Sequence, residues 1–489
     1  MPLRNSKISG LITKQSSLGS VYILYNRVLG ACVDYRSLKL ALFGAGRVGS
    51  CVARFLLSNA DELKIRTGGL DIELIGIGVK DLSKSRELDA SYYTDDLEGL
   101  ILRADVVIEL IGGLHPAKEL ITRALQVGAD VVSANKTLIS EHGRELLALA
   151  SSVGAQFLYE AAVCAAIPVI RPLKDSLSGD VIQKISGIVN GTTNFILDRM
   201  ESTGDSLENA LKVAQDLGYA ESDPSADIEG HDAAAKATIL ASLAFHADIP
   251  RTLVYREGIS NITQETISAA RASNKFVRLL AICERMANDT DISVRVHPAL
   301  IDRKHPLAAV RGNKNAIFVQ AKLAGPLMFY GSGAGGLETA SAILGDVVSI
   351  ARRYKAGSIP TSEIWIDNRR KRSVKVSPID LIKTRYQFVL FAIQSPEALA
   401  QIARTFAECK VLLDSLVQSR VDCSNLHTKL SESDVIMRLV VVTEVVTDSA
   451  ISSVIVELKN CSHVVSIVSV MRIEQGGFEE TGLALPETA

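Results

Sequence analysis

The sequence predicts an α/β protein, and three observations lead there. A glycine-rich turn stands between an apolar strand and an apolar-faced helix at residues 44–49, strands and helices then alternate as far as residue 160, and the C-terminal part reads in the order βαββαβ. At roughly 150 residues per domain, the 489 residues make about three domains. Hydrophobic residues are 47% of the chain against 22% charged, which supplies large cores and argues against global disorder. A formal net charge of −2 disfavours a nucleic-acid-binding surface. Apolar runs such as 161–170 are too short to span a bilayer. The cysteines (Cys32, Cys51, Cys164, Cys283, Cys409, Cys423 and Cys461) form no CxxC pair. That excludes a zinc site of the usual spacing and fits a reducing, cytoplasmic compartment.

Residues 1–37 read as an extension. Arg4, Lys7, Lys14 and Arg27 occur there with no acid up to Arg27, a composition shared by transit peptides, disordered extensions and upstream start codons, of which the last two are preferred. Residues 38–43 (LKLALF) form a short buried strand, followed by Gly44-Ala45-Gly46-Arg47-Val48-Gly49 and the helix SCVARFLLSNA. In that setting Gly44 permits the tight turn, Gly46 lets backbone approach a pyrophosphate, and Gly49 lets the helix pack close to the sheet. The first NH groups of the helix then face the phosphates. This predicts a Rossmann-type NAD(P)-binding domain over residues 38–158. Residues 72–79 should be its second strand. Asp81 just beyond suits the ribose hydroxyls of NAD, whereas Lys80, Lys84 and Arg86 suit a 2′-phosphate, so NADP is favoured over NAD. A strand over 105–111 ends in Gly112-Gly113, where a loop would cross the cofactor. The helix 116–127 and the strand 130–133 lead to Ala134-Asn135-Lys136, on a loop at the carboxyl edge where such sheets bind ligands. Lys136 is a site candidate, with a plain surface lysine as the alternative.

A strand over 156–160 leads into the small residues 161–168, which would let backbone lie against a flat ring. Cys164 within them has no activating neighbour in sequence and reads as a small hydrophobe, the alternative being the thiol nucleophile of an acylating semialdehyde dehydrogenase. A strand over 185–189 is followed by the polar turn Asn190-Gly191-Thr192-Thr193-Asn194 and a helix. Its NH and hydroxyl groups suit a carboxylate or phosphate.

Residues 214–236 (AQDLGYAESDPSADIEGHDAAAK) gather Glu221, Asp223, Asp227, Glu229 and Asp232. Gly218 marks the end of one helix, and Asp223-Pro224 prevents its continuation. From Gly230 an alanine-rich apolar helix begins. Acidic residues in its first turn suit the helix dipole. Asp232 and Lys236, four apart, share a face that continues into Ala and Leu rather than water, so a buried pair is preferred to a solvated one. Farther on, the glycine run 331–336 opens a helix over 337–354. Residues 357–383 are linker-like and carry the solvated charge run Arg369-Arg370-Lys371-Arg372. The βαββαβ module occupies 384–475 and a tail 476–489.

These segments resemble homoserine dehydrogenase from Leu38 to Glu474. The resemblance rests on GAGRVG, Ala134-Asn135-Lys136, GIVNGTTNFIL, the stretch 214–236 and FYGSGAGGLETAS. It departs at Cys164 to Ala166, where the family more often has glycines. It implies NAD(P)-dependent hydride transfer between L-homoserine and L-aspartate 4-semialdehyde, on the aspartate-derived route to threonine, methionine and isoleucine. Lys236 would move the proton at the substrate oxygen, with Lys136 second. Glu221, Asp227, Asp232, Gly191, Thr192 and Tyr219 would bind substrate, and Gly44 to Gly49, Gly112 and Lys136 the cofactor. Backbone carbonyls of Glu160, Val163, Ala165 and Ile167 would hold a monovalent cation, a sodium ion. The resemblance also implies that 337–356 completes the cofactor domain and that 159–336 is an α+β catalytic and dimerisation domain in a homodimer or homotetramer. The C-terminal module resembles an ACT domain, which implies a threonine effector, although Glu397 stands where a glycine usually follows the first-loop proline.

Overall fold

The computed structural model describes residues 37–288, 290–357, 374–420 and 435–475. The expectations for the extension, the basic cluster at Arg369 and the tail lie outside the described residues. The chain divides into two compact units, one drawing on residues up to Ala165 and again from Gly335, the other on Ala166–Ala334 and the residues from Arg372 on.

The first unit holds β1 (Ser37–Phe43), α1 (Arg47–Ser58), α2 (Ala60–Arg66), β2 (Asp71–Gly78), β3 (Tyr93–Thr94), α3 (Leu97–Arg103), β4 (Val106–Glu109), α4 (Ala117–Gln126), β5 (Asp130–Ser133), α5 (Lys136–Val153) and β6 (Phe157–Leu158). Its six strands are parallel in the order β3-β2-β1-β4-β5-β6, a doubly wound sheet. Both faces are covered by helices, so the strands are short apolar runs, every residue of β4 and β5 being buried. The strands anticipated over 105–111 and 156–160 are shorter than their apolar runs. After β4 the buried carboxylate of Glu109 accepts from the NH groups of Ile111 at 2.8 Å and Gly112 at 3.1 Å, which turns the chain out of the sheet.

The second unit continues with β7 (Ile182–Ile188), α6 (Gly191–Thr203), α7 (Leu207–Asp216), α8 (Ser225–Ile228), α9 (His231–Phe245), β8 (Tyr255–Arg256), α10 (Gln264–Ala272), β9 (Lys275–Arg285), β10 (Asp291–Asp302), β11 (Lys314–Ala321) and β12 (Gly325–Ser332). The polar turn anticipated at 190–194 is already helical from Gly191, because the Asn190 side chain caps α6 by accepting from Thr193 N at 2.9 Å. The next helix, α11 (Gly336–Ala356), returns to the first unit. There Ile343, Val347 and Ile350 share a core with Leu40, Leu42 and Val52. A Cβ on Gly336 would stand 3.1 Å from Cys51 Sγ and 3.2 Å from Arg47 Cγ, so the glycine permits close approach to α1.

The remaining elements are β13 (Lys375–Val376), β14 (Lys383–Ile393), α12 (Pro396–Glu408), β15 (Leu413–Arg420), β16 (Ile436–Thr443), β17 (Val446–Thr447), α13 (Asp448–Asn460) and β18 (Val464–Glu474). Four of these strands are antiparallel in the order β18-β14-β16-β15, with α12 and α13 contributing to one apolar core around Phe388, Phe406 and Leu439. The second strand of the module, β15, begins only at Leu413. Lys410 takes a left-handed φ of 57°, and Val411 N bonds back to Phe406 O at 2.9 Å, which closes the helix first. At its far end β18 pairs in parallel with β10, Ala299 opposite Arg472 and Ile301 opposite Glu474. The module thus shares one mixed sheet with β12, β11, β7, β9 and β10. Among the described residues no helix is long and apolar enough to cross a membrane.

Candidate active site

In the first unit the turn after β1 is shaped by what a side chain would hit. Gly44 has φ +103°, and a Cβ there would lie 2.7 Å from Leu110 O; one on Gly49 would lie 2.0 Å from Gly44 O. Gly46 differs, since a Cβ there would meet nothing within 4 Å. Gly46 is also the N-cap residue of α1 and offers no side-chain cap, so the first amides of the helix face open space. An open helix start of this kind suits a pyrophosphate, and Ala45, Arg47 and Val48 belong to the same turn and first helical residues. Gly112 and Gly113 have φ of +78° and +72°, with open space at both Cβ positions. Asn135 Nδ2 donates to Gly113 O at 2.6 Å, and its Oδ1 accepts from Leu138 N at 3.1 Å. Lys136 is therefore the first residue of α5 rather than part of a loop, and it is half-buried.

Beyond β2, Asp81 Oδ1 accepts from Ser83 Oγ at 2.6 Å and Ser83 N at 2.9 Å, and these bonds hold the carboxyl below its ordinary pKa. The Arg86 guanidinium lies 5.1 Å over the Tyr93 ring and donates to Asp81 O at 2.7 Å, while Lys80 is exposed. Glu160, Val163 and Ala165 are buried, as is Ile167 at the start of the second unit. Cys164 and Ala165 have φ of 54° and 42°, a conformation that favours glycine. Cys164 is buried, which suits a small hydrophobe.

In the second unit the acidic stretch folds back on the end of β7. Lys236, on the buried helix α9, donates through Nζ to Val189 O at 2.7 Å and to Asp232 Oδ2 at 2.8 Å. Lys236 and Asp232 are 7% and 6% exposed, so the pair is buried and not a solvated i,i+4 contact. Asn190 Nδ2 donates to Asp227 Oδ1 at 2.6 Å and Asp232 Oδ2 at 2.9 Å. Thr192 Oγ1 donates to Tyr219 O at 2.8 Å, and the half-exposed Tyr219 ring packs edge-on against Phe195. Gly191 is pressed against Asn313, whose carbonyl oxygen would lie 2.5 Å from a Cβ. Six anticipated residues, Gly191, Thr192, Tyr219, Asp227, Asp232 and Lys236, thus gather around Asn190. Glu221 is exposed, its carbonyl accepting from Gln215 Nε2 at 3.1 Å.

Two residues of consequence were not among the sequence candidates. Asn190 caps α6 and bonds both carboxylates, and its only local signal is an amide directly after an apolar strand. Glu109 accepts from Gly112 N and from Ser133 Oγ at 2.7 Å, fixing the Gly112 loop to β5. Its signal is a carboxylate inside the apolar run VVIELI.

Comparison with known proteins decides the family. The family described as homoserine dehydrogenase matches residues 168–348, and the homoserine dehydrogenase NAD-binding domain matches residues 44–160. A homoserine dehydrogenase of Mycobacterium tuberculosis is 42% identical over 449 residues, 91% of this chain and 99% of that protein. The chain belongs to the homoserine dehydrogenase family. A homoserine dehydrogenase of Corynebacterium glutamicum is 44% identical, over 89% of this chain and 95% of its own length. The crystal structure of a homoserine dehydrogenase from Thiobacillus denitrificans superposes with a TM-score of 0.82 at 33% identity, covering 90% of this chain and 99% of that one. A hyperthermophilic archaeal homoserine dehydrogenase, solved in complex with NADPH, matches 67% of this chain with a TM-score of 0.55 at 27% identity and 99% of its own. As a homoserine dehydrogenase the protein is an NAD(P)-dependent oxidoreductase acting on a CH–OH group. It interconverts L-homoserine and L-aspartate 4-semialdehyde on the route to threonine, methionine and isoleucine.

Proposed function

We propose that Lys236 is the proton-transfer group of this homoserine dehydrogenase, with Lys136 as the second candidate. The observation that carries the reading is the buried Lys236 ammonium, held between Val189 O and Asp232 at the end of the acidic stretch. In the biosynthetic direction NAD(P)H supplies a hydride to the aldehyde carbon. The oxygen then gains negative charge, and an ammonium both stabilises it and donates the proton. Asp232 orients Lys236, and Asp227 with Glu221 receives the substrate amino group. Gly191 and Thr192, at the amino end of α6, take the carboxylate, and Tyr219 closes the pocket wall. Lys236→Ala should lower kcat by at least about 100-fold, the usual scale for a lost proton-transfer group. A larger loss in Lys136→Ala would exchange the two assignments.

The preferred cofactor is NADP. Lys80, Lys84 and Arg86 follow β2, while the Asp81 carboxylate among them is engaged by Ser83. The NADPH complex of the archaeal relative supports the same choice. The Glu160, Val163, Ala165 and Ile167 carbonyls would hold a sodium ion, for which the sharply bent backbone at Cys164 and Ala165 is suited. The C-terminal module is read as an ACT-like domain from its element order, with threonine as effector, and the protein as a cytoplasmic homodimer or homotetramer. A threonine titration that leaves activity unchanged at millimolar levels would reduce the module to scaffold.

A further inference from the structure

Helix α8, at the heart of the acidic stretch, buries none of its four residues, so packing of its own side chains does not fix it. Besides the Asn190 bond to Asp227, it is held from outside by residues 256–259, which lie along it as a strap. Arg256 Nη1 donates to Glu229 O. Ile259 N donates to Ile228 O at 2.7 Å. Between them Gly258 runs so close that a Cβ would stand 2.3 Å from Ile228 O and 2.6 Å from Glu229 Cα. The strap therefore grips residues 228–229, which lie between Asp227 and Asp232, the two carboxylates bonded by Asn190.

The strap is anchored in turn by β10 and by the C-terminal module. Glu257 N donates to Val296 O of β10 at 2.8 Å, and the Glu257 carboxylate accepts from Arg472 Nη1 on β18 at 2.8 Å. Arg472 is held in place by Asp448, the first residue of α13, which accepts from its Nε at 2.9 Å and its Nη2 at 2.7 Å. A planar fork that donates to two carboxylates at once fixes their spacing in a way a point charge does not. The β18–β10 pairing, with Arg472 opposite Ala299, places this fork beside the strap.

We infer that Arg472 and Glu257 are positioning residues for homoserine, through which the C-terminal module holds the substrate loop of its own chain. The inference rests on the placement of homoserine against Asp227 and Lys236. Glu257→Ala is the cleaner variant, because its carboxylate is 43% exposed, whereas removing Arg472 strands Asp448, only 13% exposed, without its cation. Loss of the anchor lets the loop sample other positions. KM for homoserine should then rise about five- to tenfold, the scale of one net hydrogen bond, with kcat and the cofactor KM within about twofold. Glu257→Gln, which still accepts from Arg472, should recover most of that loss. A Glu257→Ala enzyme with unchanged homoserine KM, or with both KM values raised together, overturns the strap. Asp227→Ala is measured alongside: if it too leaves the homoserine KM unchanged, the site placement itself fails and the strap falls with it.

Discussion

In the first unit the groups proposed to face a dinucleotide are backbone amides, beside glycines with open space at the Cβ position. In the second unit the groups proposed to react are side chains that hold one another. Gly46 leaves open space before α1, whereas Lys236 is surrounded, with Val189 O, Asp232 and Asn190 around it. The difference teaches where each half is vulnerable. A backbone site fails when an added atom blocks the chain, and a side-chain site fails when one member of a network is lost and the others are left buried without it.

That contrast orders the expected effects. Gly49→Ala should be the most damaging of the glycine changes, because its Cβ would overlap the Gly44 carbonyl oxygen, a backbone atom that cannot rotate away. A loss of about 3 kcal/mol in unfolding free energy, measured by denaturant titration, is the scale of such overpacking. Asn190→Ala removes the α6 cap and both carboxylate contacts. It should cost about 2 kcal/mol of stability and lower kcat/KM for homoserine about tenfold. Gly46→Ala should spare the fold, since its φ of −79° suits alanine and nothing stands near its Cβ. Its stability should change by less than about 0.5 kcal/mol, while cofactor KM rises about tenfold through lost approach to the phosphates. A Gly46→Ala enzyme with normal cofactor affinity would break the comparison.

The same contrast explains what could be read from the sequence. The cofactor cradle is local: strand, GAGRVG and helix are contiguous, so spacing alone places every glycine. The Asp232–Lys236 pair is also local, four residues apart on one helix. Asn190 was out of reach because its contacts cross 37 and 42 residues of chain, and a single amide after a strand has many uses. The apolar run at 105–111 looks like strand throughout, yet the Glu109 carboxylate ends it early by binding the next amides. The C-terminal βαββαβ order is legible from periodicity. That β18 would also pair with β10 is not legible, since both strands are apolar enough to pair with several others.

The smallest expected effect tests whether the network half responds to charge while the backbone half does not. His297 on β10 is buried at 2% exposure, and its Nδ1 is 3.0 Å from Pro298 O. Burial, followed by the nearby charges of Arg472, Arg295 and Lys184, holds its pKa well below the ordinary histidine value. Unfolded, the imidazole titrates at about pH 6.5, so below that the unfolded chain binds a proton that the native protein refuses. The stability contributed by keeping His297 neutral is present above about pH 6.5 and is lost as pH falls from there toward the depressed native value. The first unit has no buried histidine among its described residues. Lowering the pH from about 7.5 to about 5.5 should therefore reduce hydrogen-exchange protection in β9 and β10 more than in β1 and β4. His297→Gln should lessen that loss, since an amide takes no proton in this range. Equal loss of protection in both sheets, unaltered by the substitution, would show that the acid response does not come from the charge network of the second unit.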